Sequence, residues 1–287
     1  MAEETTTRRV IFVSGLSGAG KSVVLHTLED LNYYCIDNLP ISLMDKLAGE
    51  IDRLPENIAI GIDARNIKRE LTDLPDSIKA IREHGVATEL IFLDASEDVL
   101  TKRFSETRRK HPLSSDNIPL YEAITKEREI LSSLSETADL RIDTSHNTVH
   151  DLRNLIRERI TDRAVDTLSI QVMSFGYKFG TPRDADFIFD VRCLPNPYWD
   201  NTLRPYSGRE QPVIDFLEQQ AGVLRMREQL TSFLTEWIPA FENENRSYLT
   251  VAIGCTGGRH RSVYLADRLT GDLRAGGRPI ILRHRDI

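Results

Sequence analysis

The sequence is poor in cysteine and has no long apolar run. Its three cysteines, Cys35, Cys193 and Cys255, lie far apart and form no CxxC pair, which argues against a disulfide scaffold or a structural zinc site. No run of about 18 apolar residues is present, so a membrane-spanning helix is not expected. Residues 1–9 are polar and lack the apolar core of a secretory signal. These absences predict a cytoplasmic protein with no membrane partner.

An excess of basic charge is also missing. The formal net charge is −7, which argues against a protein coated in basic charge for nucleic acid. The acidic excess lies in the first half, because basic and acidic residues balance from Asp162 onward. Four arginines and one histidine fall within residues 274–285. A local basic surface on the second half is compatible with this composition.

Short apolar runs alternate with amphipathic segments in the first half. We predict helices over residues 21–31, 77–84 and 97–109, and strands in YYCIDNLP and over residues 10–14, 58–62, 89–93 and 140–143. Such alternation is typical of parallel strands joined by crossover helices. The first half is therefore predicted to be an α/β fold, with a parallel sheet covered by helices on both faces.

The pattern restarts after a predicted helix over residues 149–163. Strand-like segments, LSIQVMSFGYKFG and ADFIFDVRCLPNPYW, precede a helical pattern over 211–241, which we expect Pro239 to end. A strand in SYLTVAIG and a helix over 262–273 follow. We place a boundary near residue 160. This gives a phosphate-loop domain over residues 1–160 and a smaller C-terminal α/β domain over residues 161–287.

A glycine-rich turn, GLSGAGKS, follows the first predicted strand and fits the GxxxxGK[ST] pattern at every fixed position. The glycines let backbone N–H groups turn toward phosphate oxygens, and the next helix adds its positive dipole end. Lys21 is expected to reach the terminal phosphates and Ser22 to help hold Mg²⁺. This turn makes the first half kinase-like. The predicted ATP-binding residues are Gly15, Leu16, Ser17, Gly18, Ala19, Gly20, Lys21 and Ser22.

Catalysis at this loop needs an acidic residue that orients Mg²⁺. Asp63 and Asp94 each follow a predicted strand. Either residue can instead cap a helix or begin a turn, which is the interpretation we favour for Asp94. The guanine-reading NKxD pattern is absent. The basic segment 103–112 suits a lid that meets transferred phosphate charge, or equally a solvated helix face.

A second strand, glycine turn and helix occur in TVAIGCTGGRHRSVYLADRL. Residues 255–262 fit CxxGxxR[ST], which resembles the phosphate loop of cysteine-dependent phosphatases. Gly254 replaces the histidine that normally precedes the cysteine, and no general acid is identifiable. We favour a non-catalytic oxyanion site over phosphatase chemistry or a structural turn. Cys255 is accordingly interpreted as a small buried residue.

Arginine and aromatic residues gather between these loops. DVRCLPNPYW and TLRPYSGRE place arginines among Tyr198, Trp199 and Tyr206. Such pairs can clamp RNA phosphate and stack unpaired bases, although an ordinary loop that packs its aromatics gives the same pattern. The candidate RNA contacts are Arg192, Arg204, Arg283 and Arg285.

Together these motifs resemble the RapZ-type family of RNase adapters and P-loop nucleotide-binding proteins. The resemblance spans nearly the whole chain and rests on GLSGAGKS, DNLP, DARN, RRKHPL, SFGYKFG, DVRCLPNPYW and GCTGGRHRSV. The last three motifs are more specific than the phosphate loop, which many families share.

The resemblance implies ATP binding at the first loop, GTP binding at Asp63, Ala64, Arg65 and Asn66, and slow hydrolysis at most. It implies a homo-oligomer whose C-terminal domain presents a small regulatory RNA to an endoribonuclease and so controls amino-sugar synthesis. A small-molecule kinase, or a phosphatase built on Cys255 and Arg261, are the alternatives. A phosphorylated amino sugar such as glucosamine 6-phosphate is implied at Cys255, Thr256, Gly257, Gly258, Arg259, His260 and Arg261.

Overall fold

A computed structural model describes residues 8–55, 57–63, 74–115, 118–161, 167–244 and 246–287. The chain divides into two compact units, Met1–Val165 and Asp166–Ile287. Each unit is built on its own parallel sheet. Among the described residues, no helix combines the length and the apolar character needed to cross a membrane.

The first unit alternates strands and helices along most of its length. Its strands are β1 (Arg9–Gly15), β2 (Tyr34–Ile36), β3 (Asn57–Gly61), β4 (Ala87–Asp94) and β5 (Leu140–Asp143). Its helices are α1 (Lys21–Asp30), α2 (Met44–Glu50), α3 (Leu74–Glu83), α4 (Glu97–Thr107), α5 (Leu120–Ile130), α6 (Ser132–Thr137) and α7 (Val149–Thr161).

The sheet of this unit has the strand order β2-β3-β1-β4-β5. The central strand β1 is buried along its whole length, as expected for a parallel strand covered by helices on both faces. Val13 pairs with Gly61 on one side, and Gly15 pairs with Leu93 on the other. The carboxyl ends of β1, β3 and β4 therefore lie side by side, where ligands of open α/β sheets bind.

The second unit begins its sheet after residue 166. Its strands are β6 (Ser169–Gly176), β7 (Phe187–Asp190), β8 (Tyr248–Cys255) and β9 (Ile280–His284), and its helices are α8 (Gln211–Glu218), α9 (Ala221–Asn243) and α10 (Arg261–Ala275). The strand order is β7-β8-β6-β9. Strand β8 is buried throughout, and its apolar residues share one core with α9 and α10. The predicted α/β fold class is confirmed.

Two expectations for the second unit are wrong. Residues 211–241 form two helices, because the backbone of Gln220 is extended and separates α8 from α9. Pro239 does not end α9, which continues to Asn243. Ile238 is fully buried and Phe241 packs on the same core. This packing on both sides of the proline compensates for the helix hydrogen bond that is lost because proline has no N–H.

Candidate functional site

The first glycine turn joins β1 to α1 at the carboxyl edge of its sheet. Gly15 has φ +138°, and a Cβ there would lie 2.2 Å from the Leu93 carbonyl oxygen. Gly18 has φ +85°, and Gly20 has φ +113° at the N-cap of α1. Side-chain-bearing residues rarely adopt these angles. The turn therefore needs its glycines for both conformation and space.

Side chains outside the turn hold two of its carbonyl groups. Arg103 donates to the Gly18 carbonyl oxygen at 3.1 Å, and the Thr144 hydroxyl donates to the Ala19 carbonyl oxygen at 2.9 Å. Arg103 also donates to both oxygens of Thr144. Because a trans peptide points its N–H away from its C=O, the Gly20 N–H faces away from Thr144. The turn therefore presents the Gly20 N–H on the side that faces away from Thr144.

Two polar side chains lie in the first turn of α1. The Lys21 ammonium donates to the Gly15 carbonyl oxygen at 2.6 Å. Ser22 is exposed. At a helix N-terminus, an ammonium and nearby backbone N–H groups are expected to donate hydrogen bonds to a nucleotide phosphate. A hydroxyl oxygen at this position is expected to bind the Mg²⁺ ion of the nucleotide.

The two candidate acidic residues lie at the same edge of the sheet. Asp63 follows β3 by two residues, and the N–H of Ile62 donates to the Val13 carbonyl oxygen. Asp94 ends β4 and accepts two hydrogen bonds from one Arg128 nitrogen, at 2.7 and 2.9 Å. Asp94 is therefore an ion-pair partner here. The other three residues of the GTP prediction, Ala64, Arg65 and Asn66, lie outside the described residues.

The basic segment predicted as a lid has two parts. Arg103 lies within α4 and points at the glycine turn, as described above. Burial lowers the pKa of Arg103, and the carboxylates of Asp143 and Glu106 oppose that shift. Arg108 ends the helix with φ +51°, and residues 108–110 are exposed.

A buried acid and a buried histidine lie behind the first turn. Glu127 was not predicted from the sequence, and His111 was included only as part of the basic segment and the RRKHPL motif. The Glu127 carboxylate accepts hydrogen bonds from the backbone N–H and the hydroxyl of Ser17, at 2.8 and 2.7 Å. His111 Nε2 lies 3.1 Å from the same carboxylate. Ser17 lies 110 positions and His111 lies 16 positions from Glu127 along the chain, so no local pattern reveals either contact.

The second glycine turn joins β8 to α10. Gly258 has φ +68°, and a Cβ there would lie 2.7 Å from the Gly176 nitrogen. The turn therefore packs directly on the end of β6. Lys178 donates its backbone N–H to the Thr256 carbonyl oxygen, and its ammonium lies 4.0 Å from the Cβ position of Gly257. Lys178 was not predicted as a site residue, although it belongs to the quoted SFGYKFG motif.

Cys255 lies at the base of this turn with only 3% of its surface exposed. Its sulfur is 3.1 Å from the Ser262 hydroxyl oxygen. Burial raises the pKa of the Cys255 thiol, but hydrogen bonds from Ser262 and Gly258 and the charge of Arg261 outweigh burial, so the pKa lies below its usual value. The turn stabilises negative charge at the sulfur.

The charged side chains of the second turn bind neighbouring backbone carbonyls. Arg261 is 4% exposed and donates to the carbonyl oxygens of Arg192 and Leu194, at 2.8 and 2.9 Å. Arg259 donates to the Pro205 carbonyl oxygen at 2.6 Å. His260 is 6% exposed, and burial lowers its pKa. Arg261 Nε and His260 Nε2 are buried and make no hydrogen bond to the described residues.

Models of two protein domains match this chain. The RapZ-like N-terminal domain matches residues 8–164, and the RapZ C-terminal domain matches residues 168–287. The chain belongs to the RapZ-like family. Similar relatives include proteins named nucleotide-binding protein from Nitrosococcus oceani and Halorhodospira halophila. They are 54% and 51% identical to this chain, over 96% and 97% of its length and 98% of their own.

Solved structures resemble this RapZ-like chain more distantly. A shikimate kinase from Bacteroides thetaiotaomicron is 17% identical, with a TM-score of 0.40, over 53% of this chain and 98% of the kinase.

The structure places the predicted RNA contacts of this RapZ-like chain in different surroundings. Arg192 is half-exposed, pairs with Asp190, and lies 4.0 Å from the centre of the Tyr177 ring. Arg204 is exposed and lies 4.6 Å from the centre of the Tyr198 ring. Arg283 is half-buried on β9.

Arg285 differs from the other three arginines because its side chain is only 6% exposed. It pairs with Asp286 at 3.0 Å and donates to the carbonyl oxygens of Gly176 and Gly180. Asp286 in turn accepts the Gly176 N–H at 2.7 Å. The pair holds the end of β6 against the second turn.

Proposed function

We propose that this RapZ-like chain is a nucleotide-regulated, RNA-binding adapter. It binds ATP or GTP with Mg²⁺ at the first turn and a phosphorylated amino sugar at the second. It presents a small regulatory RNA to an endoribonuclease in the cytoplasm and so controls amino-sugar synthesis, with nucleotide hydrolysis slow at most. The partners and the homo-oligomeric state are part of this proposal and rest on the resemblance to the family alone.

An exposed aromatic platform carries the RNA-binding part of the proposal. Trp199 is 77% exposed and Tyr198 is 47% exposed, and their rings meet edge to face with centres 5.8 Å apart. Arg204 covers the Tyr198 ring and donates to the Tyr198 carbonyl oxygen at 3.1 Å. Rings this exposed, beside a cation, offer stacking surfaces to unpaired bases and a charge to phosphate.

The first turn fits a nucleoside triphosphate. Its glycines leave room for close approach, Lys21 would contact the terminal phosphates, and the exposed Ser22 hydroxyl would contact Mg²⁺. The bound ion would neutralise phosphate charge. The Lys21 ammonium has three N–H donors, so it can contact phosphate while it keeps its hydrogen bond to the Gly15 carbonyl oxygen.

The second turn suits a phosphate ester that is held without being cleaved. Arg261 Nε, which has no hydrogen-bond partner among the described residues, and the nearby Lys178 ammonium can supply donors and charge. A phosphatase needs an accessible thiolate with a guanidinium over it. Here the thiol of Cys255 is buried and Arg261 is committed to two carbonyl groups.

RNA binding by the full chain tests the proposal. An RNA hairpin with a single-stranded loop is titrated at 50 and 200 mM salt, and we expect affinity to fall steeply with salt. Trp199→Ala should weaken binding about tenfold, the scale of one lost stacked base. Arg204→Ala should also reduce the slope of log affinity against log salt concentration by about one, because one phosphate contact is lost.

Two exposed residues of α9 provide matched controls for these variants. Trp237 is 48% exposed and Arg225 is exposed, and alanine at either position should leave RNA affinity unchanged. Binding that does not depend on salt, or equal loss in Trp199→Ala and Trp237→Ala, would contradict the proposal.

A further inference from the structure

The carboxylate of Glu127 fixes one residue of the nucleotide-binding turn by two bonds. Both the backbone N–H and the hydroxyl of Ser17 are committed to it. Glu127 is fully buried and Ser17 is 8% exposed. A residue held at both its backbone and its side chain cannot move without the carboxylate, so the position of Glu127 sets the position of the turn at Ser17.

The contacts of His111 define its protonation. Its Nδ1 accepts the backbone N–H of Leu113 at 3.1 Å and so carries no proton. The proton of the neutral ring is therefore on Nε2, which donates to the Glu127 carboxylate. The His111 side chain is fully buried and packs on Phe104, with ring centres 5.1 Å apart. This arrangement is specific to one tautomer.

Glu127 remains ionised in this setting. Burial raises its pKa, but the hydrogen bond from His111, the charge of Lys21 and the bonds from Ser17 outweigh burial, so the pKa lies below its usual value. A nucleotide phosphate at the turn adds negative charge that attracts Lys21 and repels the carboxylate. Among the described residues, the carboxylate also accepts a hydrogen bond from the side chain of His111.

His111 directly follows three exposed cations, Arg108, Arg109 and Lys110. We propose that Glu127 and His111 are positioning residues for nucleotide binding, which tie this basic segment to the turn through Ser17. Nucleotide occupancy and the accessibility of residues 108–110 then change together. This inference rests on the nucleotide binding proposed above.

A matched pair of substitutions separates this link from local structure. The amide nitrogen of glutamine reaches about as far as Nε2, so His111→Gln keeps the donor to Glu127. The amide oxygen of asparagine replaces Nδ1, so His111→Asn keeps the acceptor for Leu113 and loses the link. His84→Asn, at an exposed histidine that directly follows α3, is the control.

The test uses the full chain with ATP and Mg²⁺, measuring nucleotide affinity and the rate of trypsin cleavage after residues 108–110. In the wild type, the control and His111→Gln, we expect nucleotide to change this cleavage rate at least threefold. In His111→Asn we expect that response to be lost and affinity to fall about tenfold. Identical behaviour of the two His111 variants would overturn the proposal.

A second substitution tests the role of charge and serves if His111→Asn does not fold. Glu127→Gln can keep its bonds, because its amide nitrogen can donate to the Ser17 hydroxyl while its oxygen accepts the other two donors. We expect nucleotide affinity to rise about threefold and the cleavage response to disappear. A full response in this variant would overturn the proposal. If the wild type binds no nucleotide, the proposed function itself fails; if it binds and the variants match it, only the positioning role fails.

Discussion

The two glycine turns share an architecture but use their cations differently. Both follow a buried strand, contain glycine at positive φ and precede a helix. Lys21 makes a hydrogen bond to a carbonyl within its own turn. Arg261 is buried and binds the carbonyls of a separate segment, at Arg192 and Leu194. Lys21 lies within its own turn and has further N–H donors for a ligand, whereas Arg261 ties a separate segment of the second unit to its turn.

The acidic groups behind the two turns also differ. Glu127 is an ionised acid that holds the first turn at Ser17. Behind the second turn, the group whose negative charge is stabilised is the thiol of Cys255. A shared loop pattern therefore predicts an anion-binding geometry. It does not predict which ionisable group lies behind the loop.

The largest loss of stability is expected when the buried arginine of the second turn is removed. Arg261→Ala leaves the carbonyl oxygens of Arg192 and Leu194 without their donor, and should lower the free energy of unfolding by about 3 kcal/mol. Both tryptophans, Trp199 and Trp237, lie in the second unit, so their fluorescence during urea unfolding follows that unit. Arg259→Ala, at an exposed arginine that also binds carbonyls, should cost less than about 1 kcal/mol. Equal losses of unfolding free energy in Arg261→Ala and Arg259→Ala would show that the buried arginine has no special structural role.

A smaller effect is expected from the cation of the first turn. Lys21→Ala removes a charged donor to phosphate and should weaken nucleotide binding at least tenfold, on the order of 1.5–3 kcal/mol. The tryptophan-detected unfolding transition should stay in place. Lys102→Ala, at an exposed lysine of α4, should bind nucleotide as the wild type does. Calorimetric titration of all three proteins decides the point, and unchanged affinity in Lys21→Ala would contradict the role of this turn.

The smallest expected effect is a pH dependence from Cys255. Because the folded chain lowers the pKa of this thiol, the thiolate stabilises the fold above the unfolded pKa of about 8.5, and this contribution is lost as pH falls through the lower folded value. The stability of the wild type relative to Cys255→Ser should therefore grow between pH 6 and pH 9.

Cys35 is the control for this measurement. Burial, followed by the charges of Glu29 and Asp37, raises the pKa of its thiol to about 11. The stability of the wild type relative to Cys35→Ser should therefore stay constant at low pH and fall as pH passes the unfolded value of about 8.5, which is the opposite trend. Urea unfolding followed by tryptophan fluorescence measures the Cys255 effect. A stability difference that shrinks as pH rises would show that the second turn does not favour the thiolate.

Local sequence patterns predicted the elements of the first unit well. Alternation and glycine spacing located β1, β4, α1 and α4, because burial on both faces and a turn of fixed shape leave marks within a few residues. The proline rule failed at Pro239, where packing of Ile238 and Phe241 decided the outcome.

The details of the candidate site depended on contacts between distant residues. The bond between Ser17 and Glu127 joins residues 110 positions apart, and Arg261 reaches Arg192 across 69 positions. Asp94 likewise pairs with Arg128, 34 positions away, and the N-cap of α4 is Ser96. The sequence supplied these side chains, but the fold determined which carbonyl or carboxylate each one meets.

We propose that the nucleotide at the first turn regulates RNA binding by the second unit. The most direct measurement is RNA affinity of the full chain with and without nucleotide, together with nucleotide affinity with and without the same RNA. We predict that each ligand changes the affinity of the other by the same factor, as linkage requires. RNA and nucleotide that both bind, with neither changing the affinity of the other, would contradict the account.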